Sequence, residues 1–458
     1  MRGMDMLNSA REKVNQSSPA RERLALLFDQ DSFVELDAFA KVNGEEAGVV
    51  TGYGTIEGGA AFAFAQDPSV AGGGVGRVHA AKIRKLYDLA VKTGAPVIGI
   101  YDSKGARVDE GMDALSAYGE MLVSANSLSG VVPQISIIAG VCGGTAAMVA
   151  ASADFIVMDK EAELFLHAPK EGKADGEAAA QSGTAHLVTD SVEESISTVR
   201  RMISMLPSNN LDTPPMFEFT APAGESLDAA AENLDDTCPC AILDDILDVD
   251  SSISFQKDFG KAAVTRLATL GGNACGVVSV KGELDKDACA KVARFVSVCD
   301  AFQLPVLTFV NATGFKGCEL SGLAREAAKL AHVYAEATTS KISVVTGAAY
   351  GPVYIALAGK NAGADVVYAW PSAVISPLAP ETAVAFMEGD KITADKTRSQ
   401  VEEEYKRGEA SAFAAAAAGV IEEVIAPSAT RQALIRAVDM LAGKRVSRLP
   451  KKHSNMPL

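Results

Sequence analysis

The chain contains an internal repeat in which three apolar segments recur in the same order. Three landmark pairs, Pro96 and Pro305, Gly140 and Gly347, and Asp154 and Asp365, are separated by 209, 207 and 211 residues. This nearly constant separation predicts a duplicated domain. In each copy the middle segment reads as a buried strand that runs into a Gly-rich turn, at 141–144 and 348–351. Such a turn can present backbone N–H groups to an anion, so we expect the chain to contain two similar anion-stabilising pockets.

Length and charge bound the class of protein. The 458 residues, 48% of them hydrophobic, supply two cores for domains of roughly 200 residues each. A net charge of −16 argues against a nucleic-acid partner, because phosphate binding needs clustered Lys and Arg. No segment reaches the roughly 18 apolar residues of a membrane span, and the N-terminus lacks the apolar region of a signal peptide. We therefore expect a cytoplasmic protein that does not span a membrane.

The cysteines favour reduced thiols over a disulfide framework. Their number is seven, which is odd, and the chain carries no export signal. Cys238 and Cys240 form the only close pair. Without a second pair nearby they make a poor zinc site, and no metal is expected.

Each half reads as an α/β unit with an added hairpin. The segments 48–56 and 60–65 flank a Glu-Gly-Gly turn, and the segments 264–270 and 275–280 flank a Gly-Gly-Asn turn. Helices are expected at about 79–93 and 286–302. Pro and Gly break the periodicity between 208 and 237, so the predicted domains are 1–235 and 236–458.

A family resemblance becomes visible at several short motifs. The chain resembles the carboxyltransferase (beta) subunit of biotin-dependent acyl-CoA carboxylases and decarboxylases, from about Pro19 to Arg445. The matching motifs in the first half are Gly72-Gly73-Gly74-Val75-Gly76, Gly94-Ala95-Pro96-Val97-Ile98-Gly99 and Gly105-Ala106-Arg107. Those in the second half are Gly314-Phe315, Tyr334-Ala335-Glu336-Ala337-Thr338, Tyr350-Gly351 and Tyr368-Ala369-Trp370-Pro371.

The resemblance implies a fold, partners and cofactors. The implied fold is a tandem duplication of crotonase-like (ClpP/crotonase) ββα-superhelix domains, assembled as a homohexamer. Acyl-CoA would dock on the N-terminal domain, and biotin would arrive at the C-terminal domain on a separate carrier protein, since the sequence has no Met-Lys-Met-like tetrapeptide. The implied partners are that carrier and either a biotin carboxylase or membrane decarboxylase subunits, with no metal in this subunit.

The implied chemistry explains why the landmarks are glycines. The carboxyl group moves between a ureido nitrogen of biotin and the carbon alpha to the thioester, so an enolate and a ureido oxyanion must both be stabilised. By position, Gly143, Gly144 and Thr145 would serve the thioester oxygen, and Tyr350, Gly351 and Val353 would serve the biotin oxygen. The family's Tyr-Gly-Gly-Ala-Tyr is Tyr350-Gly351-Pro352-Val353-Tyr354 here. Proline has no N–H to donate, whereas Val353 can still donate.

The remaining candidates concern acyl-CoA binding. The Gly-rich run Gly72, Gly73 and Gly74 is either a CoA-binding loop or only a tight loop. Arg77 and Lys82 are candidate phosphate partners. Gly105 and Ala106 either face the acyl group or form a structural turn.

Several functions stay open at this point. The leading hypothesis is carboxyl transfer to or from a short acyl-CoA, propionyl/methylmalonyl-CoA or acetyl/malonyl-CoA, in a carboxylase. One alternative is the same subunit in a sodium-pumping decarboxylase. A second is a non-catalytic structural paralogue in which Pro352 has disabled the biotin side. A third is a crotonase-type hydratase or thioesterase that keeps only the CoA half.

Overall fold

The computed structural model describes residues 3–42, 44–223, 227–234, 238–316, 322–357 and 359–457. The chain divides into two compact units, Met1–Thr213 and Pro214–Leu458. The predicted boundary at 235/236 lies outside the described residues. The division between the units comes earlier in the chain because Met216 pairs with Asn273 and Leu227 packs in the core of the second unit.

The first unit is built on one mixed sheet. The strands of this unit are β1 (Val34–Leu36), β2 (Lys41–Val42), β3 (Glu45–Glu46), β4 (Val49–Ile56), β5 (Gly59–Gln66), β6 (Val97–Ser103), β7 (Gln134–Gly143), β8 (Phe155–Asp159), β9 (Glu163–Phe165) and β10 (Leu187–Thr189). Its helices are α1 (Gly3–Val14), α2 (Pro19–Leu27), α3 (Arg77–Thr93), α4 (Met112–Ser127), α5 (Thr145–Ala151), α6 (Gly176–Gln181) and α7 (Val192–Ser204). The sheet order is β1-β4-β5-β6-β7-β8-β10, with β9 also paired to β7 and with β2 and β3 forming a separate ribbon.

The second unit repeats this plan. Its helices are α8 (Leu227–Glu232), α9 (Pro239–Asp244), α10 (Lys286–Ala301), α11 (Leu323–Glu336), α12 (Pro352–Ala356), α13 (Pro380–Met387), α14 (Arg398–Arg407), α15 (Ala412–Ala417) and α16 (Thr430–Leu441). Its strands are β11 (Ile253–Phe255), β12 (Ala263–Leu270), β13 (Asn273–Leu284), β14 (Val306–Phe315), β15 (Lys341–Tyr350), β16 (Val366–Ala369), β17 (Val374–Ser376) and β18 (Glu423–Val424). The sheet order is β11-β12-β13-β14-β15-β16-β18, with β17 also paired to β15.

The two sheets match strand for strand, so the predicted duplication of an α/β domain is confirmed. In each sheet the first three strands pair antiparallel and the following strands pair parallel. The predicted hairpins form at the glycine turns between β4 and β5 and between β12 and β13. Glycine is required there because Gly58, Gly271 and Gly272 have positive φ angles of 79°, 58° and 80°.

Each unit has its own core. In the first unit the parallel strands are covered by α3, α4 and α5, with Tyr87, Tyr101 and Tyr118 buried among aliphatic side chains. In the second unit Trp370 is fully buried and donates its indole N–H to Thr430. No helix within the described residues is both long and apolar enough to cross a membrane.

Candidate functional site

The first candidate turn joins β7 to α5 through Gly144. Gly144 has φ 64° and ψ −134°, a conformation that only glycine adopts without strain. Its N–H donates to the carbonyl of Phe165 at 2.9 Å, which extends the pairing of β7 with β9. Gly144 was predicted as an oxyanion donor, but here its N–H is engaged in this bond. The next two N–H groups, of Thr145 and Ala146, begin α5 and have no partner within the helix.

The second unit contains the same turn at Gly351. Gly351 has φ 50° and ψ −122°, and its N–H donates to the carbonyl of Ser376 at 2.9 Å. Ser376 belongs to β17, which pairs with β15 as β9 pairs with β7. Gly351 follows Gly144 by 207 residues, so the predicted duplication holds down to single hydrogen bonds.

A bulge of the same size displaces the end of the middle strand in both units. The pairing of β6 with β7 jumps from Tyr101↔Ile138 to Ser103↔Cys142, and that of β14 with β15 jumps from Val310↔Val345 to Ala312↔Ala349. Bulges of this kind redirect a strand next to a functional site.

Glycine is needed inside each bulge because a polar side chain crosses it. A Cβ on Gly140 would lie 2.2 Å from the carboxylate of Asp102, and a Cβ on Gly347 would lie 2.4 Å from the amide oxygen of Asn311. Asp102 is also held by Arg23, at 2.8 Å. These contacts fix the strand ends that carry the two turns.

A second set of donors comes from the loop after β6. Gly105 accepts a hydrogen bond from the Val75 N–H, and the Arg107 N–H donates to the Val75 carbonyl, both at 2.9 Å. The N–H of Ala106, between them, therefore points away from Val75 toward the β7 side of the loop. Ser103 pairs with Cys142 of β7, so the loop that carries Ala106 leaves the sheet at the edge where the turn at Gly144 begins.

The same arrangement in the second unit identifies a donor that sequence reasoning missed. The Lys316 N–H donates to the Leu284 carbonyl at 2.8 Å, and Leu284 pairs with Phe315. The N–H of Phe315 therefore points toward β15, as that of Ala106 points toward β7. Phe315 follows Ala106 by 209 residues, so the repeat itself could have found it.

Pro352 begins α12 without disturbing the turn. Proline is favoured at the first position of a helix, where the N–H has no partner within the helix. Pro352 replaces Thr145 of the first unit and removes one donor, while Val353 keeps its N–H at the position of Ala146. The candidate donors of the first unit are thus the N–H groups of Ala106, Thr145 and Ala146, and those of the second unit are the N–H groups of Phe315 and Val353.

The residue before the first turn is not a nucleophile. Burial raises the pKa of the Cys142 thiol to about 12, so it stays protonated at neutral pH. Among the described residues, no cluster of three or more His, Cys, Asp and Glu side chains could hold a metal. The chemistry that this geometry offers is stabilisation of an oxyanion by backbone N–H groups.

The Gly-rich loop 72–74 packs against the end of β6. A Cβ on Gly73 would lie 2.3 Å from the carbonyl oxygen of Asp102, and Gly72 accepts a hydrogen bond from the Lys104 N–H at 2.9 Å. The N–H groups of Gly73 and Gly74 bond within the loop itself. The loop therefore shapes the segment that carries Ala106, and a direct contact with CoA stays a prediction.

Lys82 and Arg77 differ in whether a phosphate of CoA can approach their side chains. The Lys82 ammonium is buried and donates to the Val49 carbonyl at 2.9 Å, so a phosphate cannot approach it there. Lys291, 209 residues later, donates likewise to the Ala263 carbonyl at 2.7 Å. Both carbonyls belong to the first residue of the central antiparallel strand. The side chain of Arg77, by contrast, is 80% exposed.

We expect Lys82→Met and Arg77→Met to separate these roles. Lys82→Met leaves the Val49 carbonyl unsatisfied and should destabilise the protein by about 1–3 kcal/mol, with the Kd for CoA unchanged. Arg77→Met should leave stability unchanged and raise the Kd for CoA about fivefold, which corresponds to about 1 kcal/mol. Thermal unfolding and calorimetric titration with CoA measure the two effects. An increased Kd for Lys82→Met would restore the original assignment.

His79 is a buried structural residue. Its Nδ1 lies 3.2 Å from the Ala47 carbonyl oxygen, and its Nε2 lies 3.4 Å from the Gln66 side-chain nitrogen. Gln66 in turn accepts from the Asp102 N–H, which assigns the proton of His79 to Nδ1. Burial lowers the pKa of His79 to about 3. The neutral imidazole thus supports the strand end that carries Asp102.

This pKa predicts a pH-dependent stability. An unfolded histidine titrates near pH 6.5, so the contribution of His79 is fully present above that pH and is lost as the pH falls toward 3. The loss should be about 1.4 kcal/mol per pH unit below 6.5. Urea unfolding at pH 6.5 and 5.5 should show a steeper loss for the wild type than for His79→Gln. The exposed His453→Gln should behave as the wild type, and equal slopes for all three proteins would contradict the assignment.

Comparison with known proteins places this geometry in a family. Residues 15–456 match the carboxyl transferase domain. The chain is 39% identical over 481 residues to the methylmalonyl-CoA decarboxylase subunit alpha of Veillonella parvula, covering 96% of this chain and 93% of that one. It is 36% identical over 491 residues to the biotin-dependent acetyl-/propionyl-coenzyme A carboxylase beta5 subunit of Mycobacterium tuberculosis, covering 96% and 89%.

A solved structure shares the fold. A crystal structure of transcarboxylase 12S, described as a hexamer with hydrolysed methylmalonyl-coenzyme A bound, superposes with a TM-score of 0.92 at 34% identity. It covers 98% of this chain and 94% of the other. The predicted crotonase-like duplicated fold is therefore confirmed.

Proposed function

This chain belongs to the carboxyl transferase domain family, and from that premise we propose that it moves a carboxyl group between biotin and the α carbon of a short acyl-CoA. The proposal assigns the turn at Gly144 to the acyl-CoA and the turn at Gly351 to biotin. Biotin, when bound, supplies a ureido nitrogen that carries the carboxyl group.

In the first unit, we assign three N–H groups to the thioester oxygen. Loss of the carboxyl group from the acyl-CoA, or of its α proton, leaves an enolate with negative charge on that oxygen. The N–H groups of Ala106, Thr145 and Ala146 would donate to it, while Gly144, fixed by Phe165, sets the direction of the last two. Preorganised donors of this kind lower the barrier because they need no reorientation when the charge develops.

In the second unit, two N–H groups would perform the equivalent task for the ureido oxygen. Those of Phe315 and Val353 occupy the positions of Ala106 and Ala146. Because Pro352 has no N–H, the second unit offers the ureido oxygen one donor fewer than the first unit offers the thioester oxygen. The turn at Gly351 contains no acidic side chain that would repel negative charge. It therefore suits a ureido oxygen that is neutral at first and becomes an oxyanion.

One observation carries the proposal. Gly144 and Gly351 share a conformation, a strand-to-helix position and a hydrogen bond to the next short parallel strand. A reaction with one oxyanion would need one such turn. Carboxyl transfer between two carbonyl-containing groups needs two.

Substrate and partners follow from the relatives' names. We propose propionyl/methylmalonyl-CoA or acetyl/malonyl-CoA as the acyl-CoA pair, since the relatives named above act on these. We further propose that biotin arrives on a separate carrier chain, because those relatives are named as subunits. A homohexamer is proposed by analogy with transcarboxylase 12S.

Product analysis tests this function. The purified chain is incubated with free biotin and either methylmalonyl-CoA or malonyl-CoA, and the decarboxylated CoA product is followed by mass spectrometry. We expect product that depends on biotin and that disappears in Gly351→Trp, whose side chain would fill the second turn. A rate of product formation that is independent of biotin and unchanged in Gly351→Trp would refute the proposal.

Pro352 supports a second candidate function, that of a non-catalytic structural paralogue. The missing donor at this position weakens the biotin-side turn. Under this alternative the chain binds acyl-CoA but gives no biotin-dependent product. Pro352→Gly, which restores an N–H, would then raise turnover from none to a measurable rate.

A further inference from the structure

Cys238 and Cys240 differ from the other described cysteines in their surroundings. Cys238 is exposed and immediately precedes α9, Pro239 is the first residue of that helix, and Cys240 is partly buried. The remaining described cysteines are at most 1% exposed; they are Cys142, Cys275, Cys289 and Cys299. Within the described residues, an oxidant in solution can therefore reach only this pair.

The spacing of the pair suits a disulfide. Two Cα atoms separated by one residue at the start of a helix lie about 5.4 Å apart, from the radius and rise of an α-helix. Disulfides form between Cα atoms about 4.4–6.8 Å apart. The side chain of Cys240 already lies within hydrogen-bonding contact of the Cys238 thiol. The Cα spacing of Cys238 and Cys240 is therefore compatible with a disulfide between them.

A buried arginine lies beside the pair. Arg266 is 5% exposed, its guanidinium forms an ion pair with Asp244, and its Nε has no partner in the described structure. The Cys240 side chain lies next to this guanidinium. Asp244 pairs with one end of the guanidinium, so the unused Nε can stabilise a second anion, a thiolate of the pair, at its side.

The local hydrogen bonds favour ionisation of the exposed thiol. The backbone at the start of α9, chiefly at Cys240, lowers the pKa of the Cys238 thiol, and the charge of Arg266 acts in the same direction. In contrast, burial raises the pKa of the Cys289 thiol to about 12. We therefore assign Cys238, the exposed residue, as the nucleophile and Cys240, the partly buried residue, as the thiol that resolves the mixed disulfide.

We propose that Cys238 and Cys240, beside the Arg266 guanidinium, form a redox-active dithiol that closes to an intramolecular disulfide by exchange with a small-molecule disulfide. In the first step the Cys238 thiolate attacks one sulfur of the reagent, forms a mixed disulfide and releases one thiolate. In the second, Cys240 loses its proton and attacks the Cys238 sulfur, and the second thiolate leaves. Two protein thiols are oxidised and one disulfide reagent is reduced to two thiols.

The bond should be easily reversed. Its ring is short, and strained disulfides have higher, more oxidising potentials than structural ones. In a reducing compartment the pair would stay a dithiol and close only under oxidative stress. The site lies in the second unit and shares no residue with the turn at Gly351, so this inference does not depend on the proposed function.

Mass spectrometry with sequential alkylation tests the proposal. The full chain carries Cys318→Ser, because Cys318 lies outside the described residues. It is incubated with oxidised glutathione at pH 7, free thiols are blocked with N-ethylmaleimide, and the peptide with Cys238 and Cys240 is analysed. We expect that peptide to lack two hydrogen atoms and to take no maleimide, with dithiothreitol restoring both thiols. Two maleimides on this peptide, or a glutathione adduct that never closes, would overturn the proposal.

Variants test the assigned roles. Cys240→Ser should accumulate the glutathione adduct on Cys238, because the resolving thiol is gone. Arg266→Met removes a charge that lowers the pKa of the Cys238 thiol. For each unit by which that pKa then rises, the exchange should slow about threefold, because the fraction of thiolate falls more than the nucleophilicity of the thiolate increases. Arg266→Lys keeps the charge and should retain most of the rate. Cys289→Ser is the control with unchanged exchange. An unchanged rate in Arg266→Met, with the variant folded, would contradict the proposal.

Discussion

Replacing Gly144 by alanine should lower kcat for biotin-dependent decarboxylation of methylmalonyl-CoA by about 10²- to 10³-fold, the loss expected for one oxyanion donor. At φ 64° and ψ −134° a Cβ is strained by about 1–3 kcal/mol, although no neighbouring atom lies within 4 Å of it. The turn relaxes by rotating its peptide groups. This rotation moves the N–H groups of Thr145 and Ala146 away from the thioester oxygen.

A matched variant separates this effect from general strain. Gly58 also has a positive φ, of 79°, and open space around its Cβ position, but it lies in the hairpin between β4 and β5. Gly58→Ala should destabilise the protein comparably and leave kcat unchanged. Steady-state kinetics and thermal unfolding of both variants provide the comparison. Equal kcat losses in the two variants would mean that the turn at Gly144 has no special role.

Replacing Gly351 by alanine should have an effect of the same size on turnover and none on acyl-CoA affinity. A Cβ at this position would lie 2.7 Å from the Pro377 carbonyl oxygen, in addition to the strain at φ 50°. The turn must shift, and the Val353 N–H shifts with it. We expect biotin-dependent turnover to fall by about 10²- to 10³-fold.

The affinity measurement distinguishes the two turns. Calorimetric titration with CoA should give the wild-type Kd for Gly351→Ala, because the acyl-CoA side is assigned to the first unit. Gly419, with φ 71° and open space beyond α15, supplies a control for the strain of a positive φ alone. Gly419→Ala should keep both turnover and Kd. A raised Kd in Gly351→Ala would place the acyl-CoA on the second unit and reverse the assignment.

The repeat made much of the site predictable. The separation of about 207 to 211 residues between repeated landmarks linked Gly144 to Gly351 before any contact was known, because duplicated folds keep their turn residues. The same separation links Ala106 to Phe315. Phe315 was nevertheless missed, since a phenylalanine gives no chemical hint that its backbone N–H is directed at a ligand.

Other features depended on tertiary pairing. The carbonyls of Phe165 and Ser376 occupy the N–H groups of the two turn glycines, but β9 and β17 are three-residue strands without a clear pattern. Lys82 suggested a phosphate partner by its charge. Its spacing relative to Leu86 and Ala90 on the buried face of α3 indicates the opposite, and that periodicity was the better guide.

The transfer of a labelled carboxyl group tests the central claim most directly. Methylmalonyl-CoA labelled with ¹³C in its free carboxyl group is incubated with the chain and biotinyl-lysine, and the products are trapped by methylation at alkaline pH. We expect equal amounts of propionyl-CoA and of label attached to the biotin ring, both lost in Gly351→Ala. Label that appears only as bicarbonate, at a rate independent of biotinyl-lysine, would contradict carboxyl transfer by this chain.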